Sequence, residues 1–370
     1  MLTVEPVNAY SNAYSAYPKM KYTNVRIPSE IVMLDMSNAV LSNCGSKKAF
    51  ALHKAVAIIT DDAFAYDCTK ISLEDILTGE KDPSFTPDWE NEVIFCSSGT
   101  TGAVKMMVYN GENLVNQICS AVNIGDETLD LIYPKSCGKI NILAMVPFHH
   151  IFGFVAVFLW FSYFGKTLIY PASISPSDIL FMCQKCKATH VFSVPLFWDG
   201  VAKQLRRKME MDGPERVELL EKMVAFNTNK ISAKEAGLAG KKIAKKIVHK
   251  KLLGNSVRYC ISGGGFLSSD TTTLINGLGY PLYNGYGMTE VGVTSVELSP
   301  SVEERLKTRI GHPFYGVEYK IDPKNSELMI KSDAIHVKEI IDGVEKYTEL
   351  ENGFFRTGDI VEADDKGYYI

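Results

Sequence analysis

Several signals that would decide the class of this chain at a glance are missing from it. There is no strong charge of either sign: 39 Lys and Arg stand against 43 Asp and Glu, a net charge of −4, so nothing global favours nucleic acid. There is no second CxxC. Of the eight cysteines only Cys183 and Cys186 form one, inside ILFMCQKCK, which reads as a helix. A zinc site is therefore not expected, and scattered cysteines suit a reducing, cytoplasmic setting. The N-terminus lacks a charged region followed by an apolar core, so no secretion signal is read. No apolar run is long enough for a bilayer: the longest, IFGFVAVFLWFSYF at 151–164, has 14 residues where about 20 are needed. A buried helix is expected there instead. What remains is ordinary globular composition, 46% hydrophobic and 22% charged, in 370 residues, too many for one small core. Two or three structural units follow.

Residues 1–90 carry few readable elements. NAYSNAYSAYPKMKY is rich in Tyr, Asn and Ser and reads as irregular, and KKAFALHKAVAIITDDAFAYD as a helix end followed by a strand. From 91 onward the pattern sharpens. Strand-like runs occur at VIFCS, NILAMVPF, KTLIYPA, ATHVFSVP, VRYCIS and PLYNGYG, separated by helical stretches at about 111–123, 151–164, 177–187 and 266–278. Alternating strand and helix predicts a mostly parallel sheet covered by helices, with ligands at the carboxyl ends of the strands. Residues 199–253 interrupt this with a helical, basic insertion. Within it, KKIAKKIVHKKLL places Ile243, Ile247 and Leu252 along one side among lysines. Such a stripe can lie on an anionic membrane; the commoner outcome, expected here, is a surface helix packed by its apolar side. After 305 short β-prone runs separated by turns (GVEYKI, ELMIKS, HVKEII, FFRTGDIVEA, GYYI) predict a small β-rich subdomain or barrel.

The chemistry-bearing stretches follow strands. In VIFCSSGTTGAVKMMVYNG, residues 93–111, an apolar run stops at hydroxyls and glycines and a lysine follows. Ser97, Ser98, Thr100 and Thr101 offer donors, Gly99 and Gly102 permit a tight turn, and Lys105 adds a cation. Asn110 can cap the following helix. Such a loop suits a phosphate chain. It is not a Walker loop, because Lys105 follows Val104 and precedes Met106. MVPFHHIFG places His149 and His150 at the end of a strand. CISGGGFL bares backbone at Gly263, Gly264 and Gly265, where a flat ligand can lie. YNGYGMTE joins the aromatic face of Tyr286 to the hydroxyl of Thr289 and the carboxylate of Glu290, groups that adenine stacking and magnesium coordination need. In FFRTGDIVE a turn glycine precedes Asp359, whose carboxylate can accept bonds from ribose hydroxyls.

In this order, SSGTTGxxK, PFHHxFG, SGGG, YGMTE and RTGD resemble the adenylate-forming family of acyl-CoA synthetases, firefly luciferase and peptide-synthetase adenylation domains. The resemblance covers about residues 91–370. It implies an α/β fold of stacked subdomains with mostly parallel sheets and a small β-rich barrel subdomain. The units would be 1–90, a partial or divergent first α/β subdomain; 91–304, the α/β subdomain with the phosphate loop and the helical insertion; and 305–370, a β-rich subdomain. It implies an acid–thiol ligase reaction using ATP, Mg²⁺ and coenzyme A, in which a carboxylate forms acyl-AMP and a thiol then takes the acyl group. Residue by residue, Ser97, Ser98, Gly99, Thr100, Thr101, Gly102 and Lys105 match the loop holding the β- and γ-phosphates. Gly264, Gly265 and Phe266 match the adenine wall, and Tyr286 the stacking aromatic. Thr289 would touch the α-phosphate, Glu290 the magnesium, Asp359 the ribose, and His150 the reacting carboxylate. The chain departs from the family pattern at Val104 and Met106, where Pro and Gly are usual, and at Phe266, where proline is commoner. Its N-terminal region is shorter than usual. It stops before the expected hinge, so the mobile domain with the catalytic lysine is not expected in it. These residues alone are thus expected to bind nucleotide yet adenylate slowly.

Amino-acid-activating members of the family place an aspartate near the position of Phe148, His149 and His150. No acid stands there in this chain, which implies a substrate without an amine. The stretches VPLFWDGVAKQLRRKMEMDG and LLGNSVRYCISGGG resemble long-chain fatty acyl-CoA synthetases, so a fatty acid is expected, with the apolar helix from 151 lining its tunnel. Two alternatives stay open: the acyl group passes to the pantetheine of a carrier protein, or the chain is a catalytically weak nucleotide-binding remnant.

Overall fold

The computed structural model describes residues 57–59, 69–71, 92–98, 104–127, 131, 139–171, 175–341 and 344–370. Of the first 90 residues this includes a short parallel pair, β1 (Ala57–Ile59) and β2 (Thr69–Ile71); the other readings made there lie outside the described residues.

The VIFCS strand departs from expectation. It is β3 (Glu92–Ser98), and it pairs antiparallel with β4 (Val104–Asn110), a strand the sequence reading does not contain, in unbroken register from Glu92 opposite Asn110 to Ser98 opposite Val104. Ser98 therefore ends one strand of an antiparallel pair, and the next described element is its partner strand and not a helix. The cause lies in β4. Met106, Met107, Val108 and Tyr109 are all at most 2% exposed, so both faces of this run are buried and the alternation that marks a strand is absent. Helix α1 (Gly111–Glu127) follows at once. As expected, Asn110 caps it: its side chain accepts from the Asn113 N–H at 2.8 Å, and Asn113 accepts reciprocally from the Asn110 N–H at 3.1 Å.

The expected parallel sheet is present. Its strands are β5 (Asn141–Leu143), β6 (Thr167–Ile169), β7 (His190–Ser193), β8 (Tyr259–Ser262), β9 (Leu282–Met288) and β10 (Gly292–Val296), in the spatial order β10-β9-β8-β7-β5-β6. All neighbours are parallel except β10, which folds back on β9. From β5 the chain first steps outward to β6, then crosses to β7 on the other side. That reversal makes a switch point at the carboxyl ends of β5 and β7, where open α/β sheets bind ligands.

Between β5 and β6 the apolar run is helical and largely buried, as expected, but it winds as a π-helix over Gly153–Leu159 before entering α2 (Trp160–Tyr163). A side chain at Gly153 would collide with the carbonyl oxygens of Val146 and Pro147. Glycine there lets the helix press against the segment leaving β5. Helices α3 (Pro176–Lys185), α4 (Pro195–Met211), α5 (Pro214–Asn227), α6 (Ala233–Ala236), α7 (Lys242–Lys251) and α8 (Ser269–Gly277) complete the cover. The start of α8 falls three residues later than read, because Ser268 caps it by accepting from the Thr271 N–H at 3.2 Å. Cys183 is buried in α3, and burial pushes its thiol up to about 12.

The stripe on α7 does not pack as expected. Leu252 turns inward beside Ala244 and Val248. Ile243 and Ile247 remain 65% and 54% exposed.

After the short helix α9 (Val302–Arg305) the chain is β-rich, as read. Strands β11 (Val317–Ile321) and β12 (Glu327–Ser332) begin one antiparallel sheet. The hairpin β13 (Lys338–Ile341) and β14 (Val344–Tyr347) leaves it to pair with β4, giving a sheet ordered β14-β13-β4-β3. Residues on either side of 305 thus share one sheet. Strand β15 (Phe355–Ile360) returns to β12, and β16 (Glu362–Asp364) with β17 (Gly367–Tyr369) forms a terminal hairpin. Arg309, almost fully buried, is clamped between Glu304 and Asp364 and ties that hairpin to the sheet domain.

Candidate active site

A cavity of about 560 Å³ opens at the switch point. Much of its lining is apolar: Ile124 and Leu131, Val146 and Ile151, Ala156 of the π-helix, Trp160 and Phe161 of α2, and Phe192 from β7. Its lining also includes His150, Gly264, Tyr286, Thr289 and Glu290, so five residues singled out in three separate motifs meet around one space. Phe152 lies over Gly263, whose bare Cα is what allows a ring so close. His150 sits at the solvent side of the cavity, its ring 4.2 Å from that of His149. Desolvation holds its imidazole below the usual value, so it is neutral near pH 7.

Thr289 and Glu290 lie in the tight turn between β9 and β10, and three buried side chains that the sequence reading passed over hold that turn. The Tyr109 hydroxyl of β4 donates to the Thr289 carbonyl at 2.7 Å. His336, on the segment entering β13, holds the Glu290 carbonyl twice, through its backbone N–H at 3.2 Å and through Nδ1 at 2.7 Å. A carbonyl can only accept, so Nδ1 carries the proton. From α1, the Gln117 amide donates to the Val291 carbonyl at 3.0 Å and accepts from the Val293 N–H at 3.1 Å. Gly292 leaves room for it: φ is +77° and a Cβ would overlap the Gln117 amide. Asn113 and Asn116, on the same side of α1, hold the carbonyl of Asp333. One helix face thus fixes both the Thr289–Glu290 turn and the approach to β13.

The remaining candidates divide. Tyr286 and Asp359, 73 residues apart in sequence, are brought together: the phenol donates to the Asp359 carboxylate at 2.6 Å. Burial first, and Asp359 second, raise the Tyr286 pKa well above its usual value, so it stays a donor. Lys105 lies on β4, 3.5 Å from Glu339 of β13. Burial is the largest influence on Glu290 and raises its carboxyl; Glu339 and Asp359 add to this, while a backbone bond and Lys105 oppose it. Gly264 lines the cavity, whereas Gly265 lies against Pro195 and Phe266 is 76% exposed. Ser97 and Ser98 close β3; Gly99, Thr100, Thr101 and Gly102 lie outside the described residues.

The donor set suits magnesium. Glu290 and the Thr289 hydroxyl are hard oxygen donors on the cavity wall. Mg²⁺ in nucleotide sites takes one or two carboxylates, substrate phosphates and water. Among the described residues no group of three or more His, Cys, Asp or Glu side chains forms an all-protein metal cage.

Fold and site together define a class: an α/β protein whose switch-point cavity joins an apolar bore to an oxygen-rich rim with a Tyr–Asp pair beside it. The sequence model of the AMP-binding enzyme family matches residues 28–332, and the chain belongs to that family. Long-chain-fatty-acid–CoA ligase 2 of Schizosaccharomyces pombe is 25% identical over 293 residues, 72% of this chain and 40% of the ligase. The 2-succinylbenzoate–CoA ligase of Staphylococcus epidermidis is 35% identical over 120 residues, 31% of this chain and 25% of the ligase. Among solved structures, o-succinylbenzoate CoA synthetase of Bacillus subtilis, in complex with its acyl-adenylate intermediate, superposes with a TM-score of 0.63 at 18% identity, covering 90% of this chain and 61% of that one. The chain spans about two-fifths of the length of the first curated relatives it matches. The expected family and fold are borne out.

Proposed function

We propose that this chain carries the nucleotide- and acid-binding core of an acid–thiol ligase that joins an apolar carboxylic acid, of the fatty class, to coenzyme A by way of acyl-AMP. The observation that carries this reading is the convergence on one cavity of an apolar bore with His150, Thr289 and Glu290. The acid's tail lies in the bore and its carboxylate at the rim. There a carboxylate oxygen attacks the α-phosphorus of ATP, the bond to the bridging oxygen breaks, and pyrophosphate leaves. A thiolate then attacks the acyl carbon and AMP leaves with the electron pair of the acyl–oxygen bond.

The obstacle in the first step is the approach of an anion to a polyanion. Magnesium, held at Glu290, supplies charge compensation when bound. The protein supplies position: the Thr289 hydroxyl beside the α-phosphate, Asp359 on the ribose, the Tyr286 ring on the base, and the SSGTTG sequence and Lys105 toward the outer phosphates. Of the residues described along the cavity, Glu290 is the one acid, and it lies on the nucleotide side. Among the described residues the bore therefore offers an α-ammonium no carboxylate, which supports an acid without an amine.

Calorimetric titration with AMP and with ATP in magnesium buffer tests the reading. Saturable binding of both is expected, and ATP binding should weaken when EDTA removes the metal. Absence of binding by either nucleotide would overturn it.

A further inference from the structure

Helix α7 is turned the wrong way round for an ordinary surface helix. Its inner side is built from Ala244, Val248 and the half-buried Lys245, with His249 stacked on Tyr280 at 4.0 Å and its Nε2 bonded to the Leu278 carbonyl at 2.8 Å. Its outer side presents Ile243 and Ile247, one turn apart, and the preceding turn adds Leu238 at 69% exposure. Around them stand Lys241, Lys242, Lys246, Lys250 and Lys251, all exposed. Residues 241–251 hold six lysines and no acid, in a chain whose net charge is −4. Positive charge and exposed aliphatics are thus concentrated together on one short element.

We propose that α7 with Leu238 docks on an anionic lipid bilayer, the three aliphatics entering the headgroup boundary and the lysines pairing with lipid phosphates and carboxylates. Three observations select lipid over protein. The charge is complementary to an anionic surface. A 10-residue helix is only about 15 Å long and offers far less than the roughly 800 Å² a side of a stable protein interface, whereas lysines act additively on a membrane. The patch is also far from the Thr289–Glu290 rim of the cavity. Its helix contacts residues 278–280, just ahead of the first residue of β9, while Thr289 and Glu290 follow the last; the seven residues between span about 20 Å. A carrier protein delivering a thiol would gain nothing by binding there, but an anchor at that end leaves the cavity open.

The test is co-sedimentation of the chain with vesicles of phosphatidylcholine alone and of phosphatidylcholine and phosphatidylserine in equal parts. The parent should sediment with the mixed vesicles and not with the neutral ones, less so as salt rises. The Lys242→Gln, Lys246→Gln, Lys250→Gln triple variant should lose about fivefold in partitioning for each lysine removed. The Ile243→Ser, Ile247→Ser variant should lose the part of the binding that survives high salt. Unchanged thermal unfolding shows that both variants remain folded, and a variant that unfolds is replaced by single substitutions at the same positions. The proposal is overturned if the parent does not sediment with mixed vesicles, or if folded variants sediment as the parent does. It is equally overturned if the parent is a dimer without lipid affinity that the isoleucine variant turns into a monomer, which would make this face a contact between copies.

Discussion

At the scale of single residues, Tyr286 and Asp359 show how two distant motifs are brought into contact. Asp359 is expected to take ribose hydroxyls while the Tyr286 phenol orients its carboxylate through the 2.6 Å bond. Removing the charged partner should cost about 1.5–3 kcal/mol, so Asp359→Ala should weaken AMP at least about tenfold in calorimetry. Tyr286→Phe keeps the ring and loses only the orienting bond, worth about 0.5–1.5 kcal/mol, and should weaken AMP less. Equal affinities in Asp359→Ala and the parent would remove that residue from the site. These two residues were legible because each sits in a short motif with its own chemistry. Tyr109, Gln117 and His336 were not: their bonds to the Thr289–Glu290 turn span 180, 174 and 46 residues, and a single tyrosine, glutamine or histidine carries no local mark of such a partner.

At the scale of elements, the parallel strands were readable as apolar runs ending in glycine and hydroxyl clusters, and the helices as periodic stretches with caps. Strand β4 escaped because burial on both faces erased its alternation, and the π-helical winding from Gly153 escaped because an all-apolar run carries no periodicity that tells a π turn from an α turn. The turn between β9 and β10 makes a stringent demand on Gly292. Alanine there must adopt φ near +77° and displace the Gln117 amide, leaving buried groups unpaired. Gly292→Ala should therefore cost at least about 2 kcal/mol in urea unfolding. A loss below 0.5 kcal/mol, roughly the scatter of ordinary surface substitutions, would show that the brace yields freely. The seat of α7 makes a pH-dependent contribution. Burial holds the folded His249 pKa at about 4, against an ordinary value near 6.5. The unfolded chain then binds the proton more readily, so the contribution is fully present above about pH 6.5 and is lost progressively as pH falls toward 4, on the order of 3 kcal/mol in all. Urea unfolding at pH 7 and pH 5 should show a smaller drop in His249→Gln than in the parent; an equal drop would place the titrating group elsewhere.

At the scale of the whole molecule, the sheet order decides where function sits. The step from β5 to β6 and back across to β7 opens the crevice, the buried apolar helix fills one wall of it, and β13 pairing with β4 brings Lys105 and His336 near Glu290. The helix from 151, read in sequence as too short for a bilayer and as the lining of an acyl tunnel, lies along the bore, and among the described residues no helix is long and apolar enough to cross a membrane. The central claim is that this bore takes the apolar tail of an acyl-adenylate. Its most direct test is thermal unfolding of the chain with saturating amounts of two non-hydrolysable acyl-adenylate mimics, one carrying a fatty acyl chain and one an aminoacyl group. A ligand that binds only the folded state at a hundred times its dissociation constant adds about 2.7 kcal/mol. The account predicts a clear rise in melting temperature with the fatty mimic and a smaller one with the aminoacyl mimic. Greater protection by the aminoacyl mimic, or none by either, would contradict it.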